Sequence, residues 1–113
     1  MCNILYIEGK KPILNRIEVN SLVSGETKVD TTTTIISAIN KLGLDHYDFV
    51  LIEATIPDYT EESIIPFLNK HKIPFAIISN NGVKLRKKYP VWSSEITISE
   101  IKTNIKSLVP IMA

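Results

Sequence analysis

Three uninterrupted apolar runs constrain the fold more than any other feature of the chain: Ile4-Leu5-Tyr6-Ile7, Phe49-Val50-Leu51-Ile52 and Phe75-Ala76-Ile77-Ile78. A strand with one wet face alternates apolar and polar residues, whereas a strand buried on both faces does not. The runs therefore predict interior strands of a parallel sheet. Two weaker runs accompany them. Thr27-Lys28-Val29-Asp30 is polar enough for an edge strand, and Val91-Trp92 is short. Amphipathic segments separate the runs. Residues 12–23 bring Ile13, Leu14, Ile17 and Leu22 to one helical face, and residues 33–43 do the same with Ile35, Ile36, Ile39 and Leu42 ahead of a Gly43 stop. Residues 60–71 open on Thr60-Glu61-Glu62 and turn Ile64, Ile65, Phe67 and Leu68 inward, with Pro66 inside the pattern. Residues 98–109 align Ile98, Ile101, Ile105 and Leu108 behind a Thr97 or Ser99 cap. Residues 82–89 are basic and long enough for only one or two turns.

Strict alternation of strand and helix implies right-handed crossovers, with helices on both faces of the sheet. The expected fold is α/β: a three-layer flavodoxin-like (βα)5 sandwich with a five-stranded parallel sheet and a short fourth helix. A length of 113 residues supplies one core, so residues 1–113 are expected to form a single domain. The last helical segment is followed only by Pro110-Ile111-Met112-Ala113, which leads us to expect a stand-alone module whose output goes through contacts. A formal net charge of +1 argues against nucleic acid as a partner. The apolar runs are too short for a membrane span or a signal peptide, and Cys2, as the single cysteine, excludes an internal disulfide. A cytoplasmic setting is expected, with Cys2 as an inert, partly buried thiol ahead of the first strand.

In such a fold, function sits at the carboxyl ends of the strands. Those ends carry Glu8-Gly9, Asp30, Glu53 to Pro57, Ser79-Asn80-Asn81 and Ser93-Ser94-Glu95. No nucleotide fingerprint is present, and Thr31 to Thr34 suits a strand end followed by a helix cap. His46 and His71 each precede a strand, so both belong on loops at the opposite, amino end of the sheet.

The stretch Asp48 to Pro57 resembles the third strand and following loop of a bacterial response-regulator receiver domain (CheY-like). Ile73 to Ser79 is similar to the fourth strand of that family, Pro90 to Glu95 to its fifth and Asn3 to Gly9 to its first. The resemblance spans nearly the whole chain. It implies a two-component signalling role, with a carboxylate at the end of the third strand as phosphoacceptor, two acids after the first strand that hold a divalent metal, a Lys and a switch hydroxyl. In that chemistry the carboxylate attacks phosphorus while metal and ammonium neutralise the transferring group.

This sequence departs from that set. Glu53 stands at the acceptor position, and its extra methylene shifts the carboxylate where a misplacement of about 1 Å can cost on the order of a hundredfold. The acidic pair is Glu8 and Gly9, so one ligand is missing for a metal that demands near-octahedral oxygen ligation. Ser94 occupies the lysine position with Glu95 beside it, and Ser79 keeps the switch hydroxyl. The reading is a degenerate receiver, or pseudo-receiver, that is not an enzyme, needs no cofactor or metal and acts by phosphorylation-independent binding to another protein or to itself. Two alternatives stay open: unusual phosphoacceptor chemistry at Glu53 or nearby Asp58, and a small-ligand module using a cleft among Glu8, Asp30, Glu53, Ser79 and Ser94. Glu53 can mimic a phosphorylated Asp if its carboxylate reaches Ser79; otherwise it is a rim carboxylate, alone or paired with Glu8. Candidate partner-binding residues are Lys84, Arg86, Lys87 and Lys88 in the one concentrated basic run, with Tyr89 and Trp92 beside it.

Overall fold

A computed structural model describes residues 2–79 and 89–109. Five strands, β1 (Cys2–Ile7), β2 (Thr27–Thr32), β3 (Phe49–Glu53), β4 (Phe75–Ser79) and β5 (Val91–Ser93), form one sheet in the order β2-β1-β3-β4-β5. Every neighbouring pair is parallel. The three uninterrupted apolar runs fall on β1, β3 and β4, the inner strands, as their lack of alternation demands, and the polar run falls on edge strand β2. Among the described residues the helices are α1 (Arg16–Leu22), α2 (Ile35–Leu44), α3 (Glu61–Lys70) and α4 (Ile98–Leu108). The short helix expected over residues 82–89 lies almost wholly outside the described residues, as does the Asn80-Asn81-Gly82 turn.

Two apolar layers sandwich the sheet. Cys2, Ile4, Tyr6, Phe49 and Leu51 meet Val19 and Leu22 of α1 and Ile101 and Ile105 of α4 on one face. Leu5, Ile7, Val50 and Ile52 meet Ile35 and Ala38 of α2 and Ile64 and Leu68 of α3 on the other. Successive strand residues thus serve opposite layers. Cys2 opens β1 rather than preceding it. It is buried, and desolvation, with the Asp48 charge adding to it, pushes its thiol above the ordinary range.

Helix ends are set by local chemistry. Asn15 caps α1 through Glu18 N and receives Glu18 in return, a capping box. This start is later than the predicted segment. Ile13 and Leu14 therefore belong to a loop, and Ile17, expected inward, is 81% exposed. Ile36 is likewise 70% exposed rather than buried, because α2 turns Ile35 and Ala38 to the sheet. Gly43 does not stop α2, which runs to Leu44. Thr34 caps that helix through Ser37 N, and Thr97 caps α4 in a second capping box with Glu100. Pro66 stays inside α3 on its exposed side.

Asp58, from the β3–α3 loop, accepts the backbone N–H of Ile35 at 3.0 Å and of Ile36 at 3.4 Å. It thereby satisfies the free donors at the start of α2 and anchors its own loop. Asp58→Ala should lower the unfolding free energy by about 1–2 kcal/mol, and Asp58→Asn should recover part of that loss. Urea denaturation of the two variants checks both.

Candidate functional site at the carboxyl end of the sheet

Glu53 ends β3 and shares the parity of Phe49 and Leu51, so it turns toward the α1–α4 layer. There it is fully buried, with 0% exposure. Its carboxylate is enclosed by donors. The Tyr6 hydroxyl donates to Oε2, the Ile13 N–H donates to the same oxygen at 2.8 Å, and the Gly9 N–H donates to Oε1 at 2.9 Å. Tyr6 O–H in turn accepts the Leu14 N–H at 3.2 Å. The loop between β1 and α1 is therefore wrapped around one anion. Burial holds the Glu53 carboxyl above the ordinary glutamate range, and the N–H donors of Gly9, Ile13 and Leu14 offset only part of that rise.

Gly9 is shaped by this packing. A Cβ at position 9 would stand 2.9 Å from Thr55 Oγ1 and 3.3 Å from Glu53 Oε1. An acid at this position would crowd both side chains and place a second negative charge on the first. Glu8, also buried, pairs with the Arg16 guanidinium at 2.7 Å, although Arg16 itself is 67% exposed. Its counter-charge thus comes from the first residue of α1.

The other expected site residues are dispersed. The hydrogen bonds found for the Glu53 carboxylate come from Tyr6, Gly9 and Ile13, not from Ser79. Ser79 continues the alternation of Phe75 and Ile77, which face the α2–α3 layer, whereas Glu53 faces the other. The rim carboxylate and the Glu8–Glu53 pair are also set aside, since Glu53 is sealed and Glu8 is bound to Arg16. Asp30 does not join the cleft: it lies within β2 and accepts the Tyr47 hydroxyl at 2.7 Å. Ser94 follows β5, where its N–H bonds the Ser79 carbonyl at 3.2 Å. Asp58 is engaged at α2, as described above.

Trp92 is half-buried, stacks on Phe49 at 6.1 Å and packs against the α1–α4 layer. Tyr89 packs on Phe75 at 5.5 Å, and burial, with hydrogen bonds to Glu61 and Tyr59, pushes its hydroxyl far above the ordinary range. Lys84, Arg86, Lys87 and Lys88 lie outside the described residues. Sequence reasoning missed Tyr6, Arg16 and the Ile13 amide. The available signal was Tyr6 itself, since a tyrosine in a buried strand must find a partner for its hydroxyl.

A glutamine at position 53 has one acceptor oxygen for a site that presents donors on both sides. Either orientation aims its NH2 at the Gly9 or the Ile13 N–H. Glu53→Gln should therefore cost about 1–3 kcal/mol at neutral pH although it removes a buried charge. The pH dependence has a definite sign. A raised carboxyl binds its proton more tightly in the folded chain, so stability present at low pH is lost as pH rises from the ordinary value of 4.5 through the raised one. Denaturation at pH 4.5 and at pH 7.5 should show a smaller difference in the Gln variant than in the native chain.

No protein-family model matches the sequence, and no curated protein matches it. Solved structures do resemble it. The receiver domain of the Francisella response regulator 1452 superposes with a TM-score of 0.81 at 15% identity, covering 100% of both chains. A sensor protein from Polaromonas sp. JS666 reaches 0.78 at 16% identity, covering 99% of this chain and 98% of its own. A CheY-like response-regulator receiver domain from Methylobacillus flagellatus reaches 0.75 at 16% identity, covering 96% of this chain and 98% of its own. Likeness at this level of identity speaks for architecture: the chain has the α/β, flavodoxin-like fold of response-regulator receiver domains.

Proposed function

We propose that the chain is an atypical receiver domain, a pseudo-receiver of two-component-type signalling, which acts by phosphorylation-independent binding to a protein partner or to a second copy of itself. One observation carries the reading: the carboxylate at the acceptor position is buried and engaged by Tyr6 of β1 and by two N–H groups of the β1–α1 loop. A nucleophile must meet phosphorus in line from an open cleft. To do so Glu53 would have to release the Tyr6 hydroxyl and two backbone N–H groups, each a charge-assisted bond of about 1.5–3 kcal/mol.

The divalent metal that the fold family implies does not fit the residues present. Gly9 supplies no oxygen ligand, Glu8 is neutralised by Arg16 and Glu53 faces inward. Among the described residues no group of three or more His, Cys, Asp or Glu side chains is arranged to hold a metal ion. With Ser94 at the lysine position, the ammonium that would neutralise a transferring phosphoryl group is missing as well. The role that remains is that of a binding module, with the 84–92 segment as its proposed contact face. Among the described residues no helix is long and apolar enough to cross a membrane.

Beryllofluoride with magnesium, a stand-in for the acyl phosphate, tests the reading on the labelled full chain. Amide shifts at residues 8–9, 53–55 and 79 should stay unchanged at low-millimolar magnesium. Localised, saturating shifts at those residues would mean that the site still accepts a phosphoryl-like group, and the phosphoacceptor alternative would replace this one.

A further inference from the structure

We propose that residues 9–16 form an autoinhibitory strap, which masks the buried Glu8 and Glu53 together and opens as one unit, with the Tyr6 hydroxyl and the Arg16 guanidinium as its two latches. The proposal rests on the reading of Glu53 as a withdrawn carboxylate and deepens it. β1 and β3 are paired so that Ile7 stands level with Ile52. The Glu8 N–H still bonds the Thr32 carbonyl at 2.8 Å, so the path of β1 continues through Glu8 and brings it level with Glu53. Level residues on these two strands serve the same face, as Tyr6 and Leu51 do in the α1–α4 layer. Two buried carboxylates are thus neighbours, and like charges so placed need separate partners.

The strap supplies those partners. The Gly9 and Ile13 N–H groups donate to Glu53 at 2.9 and 2.8 Å. Leu14 N–H donates at 3.2 Å to the Tyr6 hydroxyl, which itself donates to Glu53. Arg16 holds Glu8 at 2.7 Å. Among the described residues no backbone–backbone hydrogen bond is found for residues 9–14. The segment therefore has no ladder of its own, and its polar anchors converge on the two acids that it covers.

The same segment is built to move as a piece. Its middle, Lys10-Lys11-Pro12, is exposed, and Pro12 has a fixed φ and no N–H to donate. Asn15, which joins the strap to α1, is held by Glu18 in the capping box, so a displacement of Leu14 is passed on to Arg16 rather than absorbed at the joint. The Leu14 side chain, buried in the α1–α4 layer, keeps the strap shut at rest. A segment with few backbone bonds opens locally at less cost than global unfolding. Opening removes the donors of Glu53 and the cation of Glu8 in one event, and it uncovers an acidic pair for a cationic group of a partner.

Carboxyl labelling of the full chain with a water-soluble carbodiimide and glycinamide, at constant pH and read by mass spectrometry, tests the strap. Tyr6→Phe, which removes only the hydroxyl, should raise labelling about tenfold at Glu53 and also at Glu8, whose partner is Arg16. Arg16→Gln should raise it at Glu8 and also at Glu53. Native-state amide exchange controls for folding: Gly9, Ile13 and Leu14 should exchange about tenfold faster in both variants, while Leu51 and Ile77 in the inner strands keep their native rates. A beryllofluoride response of the native chain would defeat the reading of Glu53 whatever the labelling shows, and a failed labelling test would leave that reading standing. The strap is overturned if each variant exposes only the acid its own latch had held, if neither acid gains labelling, or if Leu51 and Ile77 accelerate as much as the loop.

Discussion

A carboxylate inside protein must be surrounded by donors or give up its charge, and that requirement organises the carboxyl end of this sheet. Desolvating an ion costs several kcal/mol even after relaxation. Three charge-assisted hydrogen bonds at about 1.5–3 kcal/mol each offset part of it, and the carboxyl stays above its ordinary range. Glu53 collects them from three separate places: the Tyr6 hydroxyl on the neighbouring strand, and the Gly9 and Ile13 N–H groups of the following loop. The path of residues 9–14 follows from this arrangement. Those backbone donors face inward because the anion is there, and α1 starts only at Arg16, once the loop has closed over Glu53.

The neighbouring residues are consistent with the same constraint. Gly9 leaves room where a Cβ would press on Thr55 and on the Glu53 carboxylate. Arg16 lies within hydrogen-bond reach of Glu8, so the second buried carboxylate is balanced by a cation from the chain itself. Seen one by one, Gly9 and Glu53 read only as departures from the pattern that the sequence resembles. Taken together they form a self-consistent arrangement in which an internal anion, internal donors and an internal cation satisfy one another. Such groups act as a unit, and an acid placed at position 9 would crowd Thr55 and the Glu53 carboxylate.

The fold was legible because burial on both faces leaves a plain signature. Unalternating runs at 4–7, 49–52 and 75–78 marked the inner strands, and the polar run at 27–30 marked an edge. The same signature hid the site. When both faces of a strand are apolar, hydropathy does not tell which face a residue serves. Nothing in the composition of β3 and β4 indicated that Glu53 would share a layer with Tyr6 while Ser79 followed the opposite parity. Helix phase was misread at Ile17 and Ile36 for a related reason. Isoleucines adjacent to a cap fit the apolar stripe on paper, but the capping geometry at Asn15 and Thr34 fixes the rotation of each helix and turns them to solvent.

The two ends of the sheet resolve their polar groups in opposite ways. At the carboxyl end both oxygens of the buried Glu53 carboxylate have donors, and the Gly9 and Ile13 backbone amides are taken up by them. At the amino end, among the described residues, the buried Asn3 Oδ1 stays without a donor. A closed hydrogen-bond network is rigid, whereas a buried acceptor left unpaired carries a standing cost. The Glu53 network is thus closed on itself, whereas the amino end carries the cost of an unpaired buried acceptor.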